Sequence, residues 1–213
     1  MQKAEKTTGE KRSNSSNGTP KSVKVLVGYG WQKFANGDPR ANGREVLHDK
    51  FWQSLKSLYK NICERFTGAN GAKASLGRLR ASHGCLTWQS ITAKIDEADI
   101  LIFDVAACPP PEIIPDEGNV DFEKVVTELN SNVLVELGYA LGKGKRVMLL
   151  CPKHLFDKIP SDLRGYLWTQ YTGEIKCRDI IRHFVDVDGA LSAFHCALRE
   201  IANERAGIDN NED

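Results

Sequence analysis

The strongest constraint on the fold is a set of short apolar runs that alternate along the chain with helical patterns. The clearest runs are VKVLVGYG (residues 23–30), DILIFDVA (residues 99–106) and RVMLLC (residues 146–151). They lack the polar and apolar alternation of a strand with one exposed face, so each is predicted to be buried on both sides. Such strands are typical of parallel sheets covered by helices on both faces.

The segments between these runs carry apolar residues at helical spacing. We predict helices over residues 44–66, 87–99, 131–142 and 189–206, a short helix within 122–129 and a short last strand over 166–173. Together these elements predict an α/β fold, with a doubly wound and mainly parallel sheet of four to five strands, flavodoxin-like or Rossmann-like.

Composition bounds the domain and its partners. Residues 1–21 and 207–213 are polar and without hydrophobic periodicity, so we predict disordered tails around a single domain over residues 22–206. The formal net charge is only +1, which favours neither nucleic acid nor an anionic membrane as a partner. No apolar run could span a bilayer or serve as a secretory signal, so the expected location is the cytoplasm.

The cysteines and histidines give no sign of a metal or of serine hydrolase chemistry. Six cysteines and five histidines are scattered singly, without metal-ligand spacing and without an evident Ser/His/Asp set. We therefore predict no metal site.

Glu136 is the residue that the helical pattern does not explain. In the helix over 131–142 it falls three residues after Val133 and four before Ala140, on or beside the buried face. A carboxylate there is costly unless it is paired, hydrogen-bonded or facing a cleft. If Asn130 or Ser131 caps the helix, Glu136 lies too deep to act as a capping carboxylate. If Asn132 is the cap, a favourable interaction with the helix dipole remains an alternative.

Ligands of doubly wound sheets bind beyond the carboxyl ends of the strands. We expect Gly28, Tyr29 and Gly30 there after the first strand, and Asp104 after the second. Asp104 would accept hydrogen bonds from ligand hydroxyls or cap the following loop. Tyr29 would stack on a ligand ring or cover the core.

The segments ADILIFDVA and NSNVLVELGYALGKGKRVMLL together resemble a pattern shared by nucleoside 2-deoxyribosyltransferases and TIR-like, nucleotide-binding domains. The resemblance implies that Glu136 is the catalytic carboxylate, with Asp104 in support. It also implies that Asn130, Asn132 and Tyr139 contribute to substrate binding. Asn130 stands where the transferases typically carry an Asp, and an Asn cannot supply a proton as a carboxylic acid does. The TIR-like pattern has Asn at this position, which favours that reading.

Three functions follow as hypotheses. The first is cleavage of an N-glycosidic bond of NAD or a related nucleotide by a TIR-like domain. In that case NAD is a substrate and no cofactor is needed, and the resemblance implies a homo-oligomer or a separate activator and a role in prokaryotic antiviral defence. The second is a nucleoside 2-deoxyribosyltransferase. The third is a non-catalytic, nucleotide-binding signalling module.

Overall fold

The computed structural model of the chain describes residues 22–30, 41–80, 87–109, 113–115, 117–177, 180–185 and 187–208. The strands are β1 (Val23–Tyr29), β2 (Ala74–Arg78), β3 (Ile100–Asp104), β4 (Arg146–Pro152), β5 (Trp168–Cys177) and β6 (Ile180–Val185). The α-helices are α1 (Ala41–Arg65), α2 (Thr87–Glu97), α3 (Phe122–Val125), α4 (Ser131–Gly142), α5 (Ser161–Arg164) and α6 (Val187–Ala206). Short 3-10 helices cover Ala69–Gly71 and Lys153–Lys158.

The strands form one mixed sheet in the order β2-β1-β3-β4-β5-β6. Neighbours from β2 to β5 are parallel, and β6 is antiparallel to β5. The crossover from β1 to β2 runs in one direction, and those from β2 to β3 and from β3 to β4 run in the other. Because such crossovers are right-handed, α1 covers one face of the sheet and α2 and α4 cover the opposite face. The helix contacts agree, since α2 packs on α4 and α6 packs on α1.

The predicted α/β class, with a mainly parallel sheet between helices, is confirmed at the level of a Rossmann-like architecture. The apolar runs behave as expected, because every residue of β3 is buried. The prediction of four to five strands is wrong, since the sheet has six. The unpredicted strands are β2, whose sequence ASLGR has little β-propensity, and β6, which carries a buried histidine.

The long segment between β3 and α4 is packed onto the domain where the structure describes it. Ala106 bridges to Leu129, and Val120 bridges to Ile175 in β5. The Phe122 ring lies over β5 so closely that a Cβ at residue 173 would be 2.3 Å from it, which explains the glycine at that position. This segment therefore forms a cover over the β5 side of the sheet.

The predicted tails fall almost wholly outside the described residues. Residues 1–21 are outside them, and of 207–213 only residues 207 and 208 are described. The domain bounds 22–206 therefore stay a prediction. None of the helices in the described part of the chain combines the length and the apolarity needed to cross a bilayer.

Candidate functional site

The sheet order places the topological switch point at the carboxyl ends of β1 and β3. Crossovers leave these neighbouring strands in opposite directions, and such a switch point is where doubly wound sheets bind ligands. Tyr29 and Asp104, at the ends of the two strands, are register partners. The structure thus brings the predicted residues of both strands to one edge of the sheet.

Gly30 lies where three segments converge at this edge. A Cβ at residue 30 would be 2.7 Å from the carbonyl oxygen of Ala106 and 2.8 Å from Nδ2 of Asn130. Only glycine permits so close an approach of backbone to backbone. Gly28 serves packing within the sheet, because a Cβ there would lie 2.7 Å from the ring of Phe103.

Asn130 is the N-cap of α4. Its Oδ1 accepts a hydrogen bond from the Val133 N–H at 3.1 Å, and its own N–H donates to the Val105 carbonyl at 2.8 Å. Asn132 is therefore inside the helix, not at its cap, and is exposed. With Asn130 as the cap, Glu136 lies six residues further along, too deep for a capping box. The capping explanation of Glu136 is thereby removed.

Glu136 lies beside the buried stripe of α4, which consists of Val133, Leu137 and Ala140. Burial raises the pKa of its carboxyl from the ordinary value of 4.5 to about 7, and no charged neighbour contributes. Within the described residues, no group donates a hydrogen bond to this carboxylate or forms an ion pair with it. A half-buried carboxyl that is poised near neutral pH and has no structural partner is suited to acid, base or electrostatic catalysis.

Helical spacing puts Glu136 near the side of α4 that faces α2. Tyr139, one turn further along, defines that side, because its hydroxyl donates to both Asp96 carboxylate oxygens at 3.1 and 3.2 Å. The Tyr139 ring also meets the Trp88 ring edge-on, with centroids 5.7 Å apart. The hydroxyl predicted to bind substrate is thus engaged in holding α2 against α4.

Trp88 is a feature that the sequence analysis missed. It is the second residue of α2 and is 46% exposed, although large aromatic side chains are usually well buried. Its contact with Tyr139 places it on the same side of α4 as Glu136. Helical spacing in α2 marks only the buried Ile91 and Ile95, so no sequence signal distinguishes the exposed Trp88 from a packing residue.

Asp104 faces the opposite side of the sheet from Glu136. Its register partner Tyr29 stacks on Trp52 of α1, with ring centroids 6.1 Å apart, so both strand ends point their side chains towards α1. The Asp104 side chain is 2% exposed and accepts hydrogen bonds from the Tyr171 hydroxyl at 2.9 and 3.0 Å and from the Ala106 N–H at 3.1 Å. Asp104 therefore lies on the α1 face and is bound by structural partners there, and its support of Glu136 stays a prediction.

A buried polar network surrounds Asp104. The His183 Nε2 lies 3.5 Å from an Asp104 oxygen, and the His183 Nδ1 lies 2.8 Å from the Ser54 hydroxyl. Burial, followed by the nearby Asp104 charge, raises the pKa of Tyr171 well above its ordinary value, so its hydroxyl keeps the proton it donates. Sequence spacing gave no hint of this Ser/His/Asp contact, because Ser54 and His183 are 129 residues apart.

Tyr29 and Arg78 are also engaged on the α1 side. Tyr29 is 7% exposed, and burial raises its pKa to about 12, so the core alternative describes its ring. The Arg78 guanidinium forms an ion pair with Asp49 at 2.7 Å and lies 5.0 Å from the centre of the Trp52 ring. These contacts leave little of the Tyr29 ring for a ligand to stack on.

The chain was compared with protein-family models and with curated proteins. No protein-family model matches the chain, and no curated protein matches it significantly. Within the described residues, no group of three or more His, Cys, Asp or Glu side chains could hold a metal ion. The geometry around Glu136 therefore carries the functional argument.

Proposed function

We propose that this protein cleaves the N-glycosidic bond of NAD or a related nucleotide, with Glu136 as the essential carboxylate. The observation that carries the proposal is the state of Glu136: half-buried, without a partner in the described residues, and with a pKa raised to about 7 by burial alone. Natural proteins rarely keep such a group without a functional role, because an unpaired buried charge lowers stability.

The chemistry follows from where charge develops during the reaction. When the bond between C1′ of the ribose and the base nitrogen breaks, the electron pair leaves with the base and C1′ becomes oxocarbenium-like and positive. A carboxylate in a partly desolvated site stabilises that positive charge more strongly than one in water. Water then adds to C1′ and loses a proton, which completes hydrolysis.

The charge of the substrate favours nicotinamide nucleotides. The nicotinamide ring of NAD carries a positive charge. When the bond breaks, the ring takes the electron pair and leaves as neutral nicotinamide. A cation beside Glu136 would lower the pKa of its carboxyl and so ionise the group as the substrate binds. A neutral deoxynucleoside offers no such pairing.

The second candidate function, nucleoside 2-deoxyribosyl transfer, has less support. A transferase needs a group that handles the base, and at the matching position this chain has Asn130, whose Oδ1 is held by the first turn of α4. An amide in that role cannot give up a proton as a carboxylic acid can. The third candidate, a nucleotide-binding module without turnover, would bind its ligand at the same switch point.

The regulation and context of the reaction are part of the proposal. We expect activity on assembly of several copies or with a separate activator, in the cytoplasm, and a defence role in which NAD is depleted. Loss of cellular NAD on expression of the protein, absent with Glu136→Gln, would be the outcome that this context requires.

The test of the activity is nicotinamide release from NAD over a range of protein concentrations, followed by chromatography. Glu136→Gln keeps the shape of the side chain and removes its charge, and Glu128→Gln is a matched control because Glu128 is exposed. We expect release that grows faster than linearly with protein concentration and is unaffected by Glu128→Gln. It should fall about a hundredfold to a thousandfold with Glu136→Gln, the scale of the loss of one electrostatic catalytic group.

The same assay with deoxynucleosides separates the candidate functions. Base exchange between deoxynucleosides without nicotinamide release would replace the first candidate by the second. Saturable binding of NAD without turnover at any protein concentration would favour the binding module. Nicotinamide release that persists in Glu136→Gln would contradict the assignment of the catalytic residue.

A further inference from the structure

The side chains of β6 alternate between the two faces of the sheet. Ile181 and His183 are buried and point towards α1, where the His183 Nδ1 lies 2.8 Å from the Ser54 hydroxyl. The alternate side chains of β6, and the β5 residues that stand opposite them, point away from α1 and are exposed or half-buried. We refer to this second set as the outer β5–β6 face, and it consists of Thr172, Glu174, Ile180, Arg182 and Phe184.

The outer β5–β6 face is open because the crossover that leads into β5 contains only short helices. Crossovers between parallel strands are right-handed, so the segment that joins β4 to β5 lies on the α4 side of the sheet. Its helices are Lys153–Lys158 and α5, which spans four residues. Phe184 is 50% exposed and Ile180 is 39% exposed. A sheet face in water usually carries polar residues, so these two side chains indicate a contact surface.

Addition of a further strand at the edge of β6 does not account for this surface. The His183 backbone N–H donates to the Ser54 hydroxyl at 2.9 Å, so α1 already uses a donor that an added strand would need. The Ile180 and Phe184 side chains also stand on the face of the sheet, not along its edge. A partner that covers them therefore packs face to face with the sheet, at a spacing of about 10 Å.

The charges on the outer β5–β6 face fit a second copy of the same chain. Glu174 and Arg182 stand directly opposite each other on neighbouring strands. A twofold axis parallel to the strands, midway between β5 and β6, lays β5 of each copy over β6 of the other. Glu174 of each copy then lies over Arg182 of the other. A twofold axis across the strands would lay Glu174 over Glu174, so the charges favour the first arrangement.

The same axis brings the exposed ring into contact. Thr172 stands opposite Phe184 in the register, so the Phe184 ring of each copy lies over Thr172 of the other. Both rings, each 50% exposed in the single chain, become buried in the dimer. A face of two strands is small beside the about 800 Å² that each partner buries in a standard interface, so this dimer dissociates on dilution.

We propose that the outer β5–β6 face is the interface of a symmetric homodimer. Two Glu174–Arg182 contacts and two Phe184–Thr172 contacts hold the copies together. The inference goes beyond the proposed function, which expects assembly without naming a surface, and it holds whether or not NAD is cleaved.

The first experiment is analytical ultracentrifugation of the full chain over a wide range of concentrations. We expect a reversible monomer–dimer equilibrium with a Kd between about 1 µM and about 1 mM, as for a small interface. Phe184→Asp should weaken the dimer at least about tenfold, because it places a carboxylate where the ring is buried. Ile208→Asp is the matched control, because Ile208 is 49% exposed and follows α6, and it should leave the Kd unchanged.

Charge reversal tests the twofold arrangement. Glu174→Arg and Arg182→Glu each bring like charges together in a homodimer, so each variant alone should be monomeric at concentrations where the wild type dimerises. Mixed in equal amounts, the two variants bring opposite charges together at both contacts and should dimerise again. Circular dichroism of each variant checks that it is folded.

Three results would overturn the proposal. The first is a wild-type chain that stays monomeric up to about 1 mM, which would assign the face to a different partner. The second is a dimer that a folded Phe184→Asp does not weaken. The third is a mixture of the two folded charge variants that associates no better than either variant alone.

Discussion

The two faces of the sheet treat a buried carboxylate in opposite ways. On the α1 face, Asp104 is almost fully buried, and a tyrosine hydroxyl, a backbone N–H and a histidine surround it. On the α4 face, Glu136 is half-buried and no described residue binds its carboxylate. A carboxylate with partners holds a fold together, whereas one without partners costs stability and is available to a ligand.

The largest effect expected from this comparison is on stability at Asp104. Asp104→Ala would leave the Tyr171 hydroxyl and the Ala106 N–H without their acceptor in the core. We expect a loss of about 2–5 kcal/mol in the free energy of unfolding, because each buried donor left unsatisfied costs about 1–3 kcal/mol. Urea unfolding measures it, with the exposed Asp162→Ala as control. A loss below that of the control would show that Asp104 has no structural role.

Glu136→Gln is expected to raise the free energy of unfolding at alkaline pH, whereas Asp104→Ala lowers it. In the folded chain the pKa of Glu136 is about 7, against an ordinary value of 4.5. Between these two values the folded state holds a proton that the unfolded state releases, so the stability falls as the pH rises from about 4.5 to about 7, and the loss is complete above pH 7. Glu136→Gln removes that cost.

We therefore expect Glu136→Gln to raise the free energy of unfolding by about 1–3 kcal/mol at pH 8, an order set by the pKa shift. The gain should be absent at pH 4, where Glu136 is protonated in both states. Thermal melts at the two pH values measure the difference. A variant that is less stable than the wild type at pH 8 would indicate a partner for this carboxylate.

The pH dependence of the proposed reaction tests whether the carboxylate without partners, Glu136, is the group that acts. If the ionised form of Glu136 acts, kcat/KM for NAD should rise about tenfold from pH 6 to pH 8, because the ionised fraction follows a pKa near 7. Steady-state rates in a series of buffers at constant ionic strength measure the profile. A flat profile across this range would exclude Glu136 as the titrating group.

The smallest effect is expected at Trp88, whose exposed ring is on the Glu136 side of α4. Trp88→Ala should raise KM for NAD about twofold to tenfold and leave kcat nearly unchanged, which is the scale of one aromatic contact. Tyr166→Ala is the matched control, because Tyr166 is also 46% exposed. Equal effects of the two substitutions would remove Trp88 from the site.

Local sequence patterns were sufficient to predict most of the fold. The apolar runs at β1, β3 and β4 and the helical spacing of α1, α2, α4 and α6 were sufficient, because burial on one or both faces leaves a period in the sequence. The strands β2 and β6 lie at the two edges of the sheet, where burial is partial and the period is weak. The predicted short strand near Trp168 proved to be a ten-residue strand that extends past Gly173.

In the candidate site, too, local sequence patterns predicted some features and missed those that depend on distant residues. Glu136 was visible in the sequence because its position conflicts with the apolar period of its own helix. The partners of Asp104 were not visible, because Tyr171 is 67 residues away along the chain and joins Asp104 only when the sheet forms. Contacts of that kind depend on tertiary packing, which the hydrophobic periodicity of a single segment does not reveal.

The most direct test of the central claim is a titration of Glu136 by NMR. Carboxyl signals of glutamates labelled with carbon-13, assigned by comparison with Glu136→Gln, would be followed from pH 4 to pH 9 with and without NAD. We predict one glutamate that titrates with a pKa of about 7 in the free protein and at a lower pH when NAD is present. If Glu136 titrates near its ordinary value of 4.5 and does not respond to NAD, the carboxylate is neither desolvated nor part of a binding site.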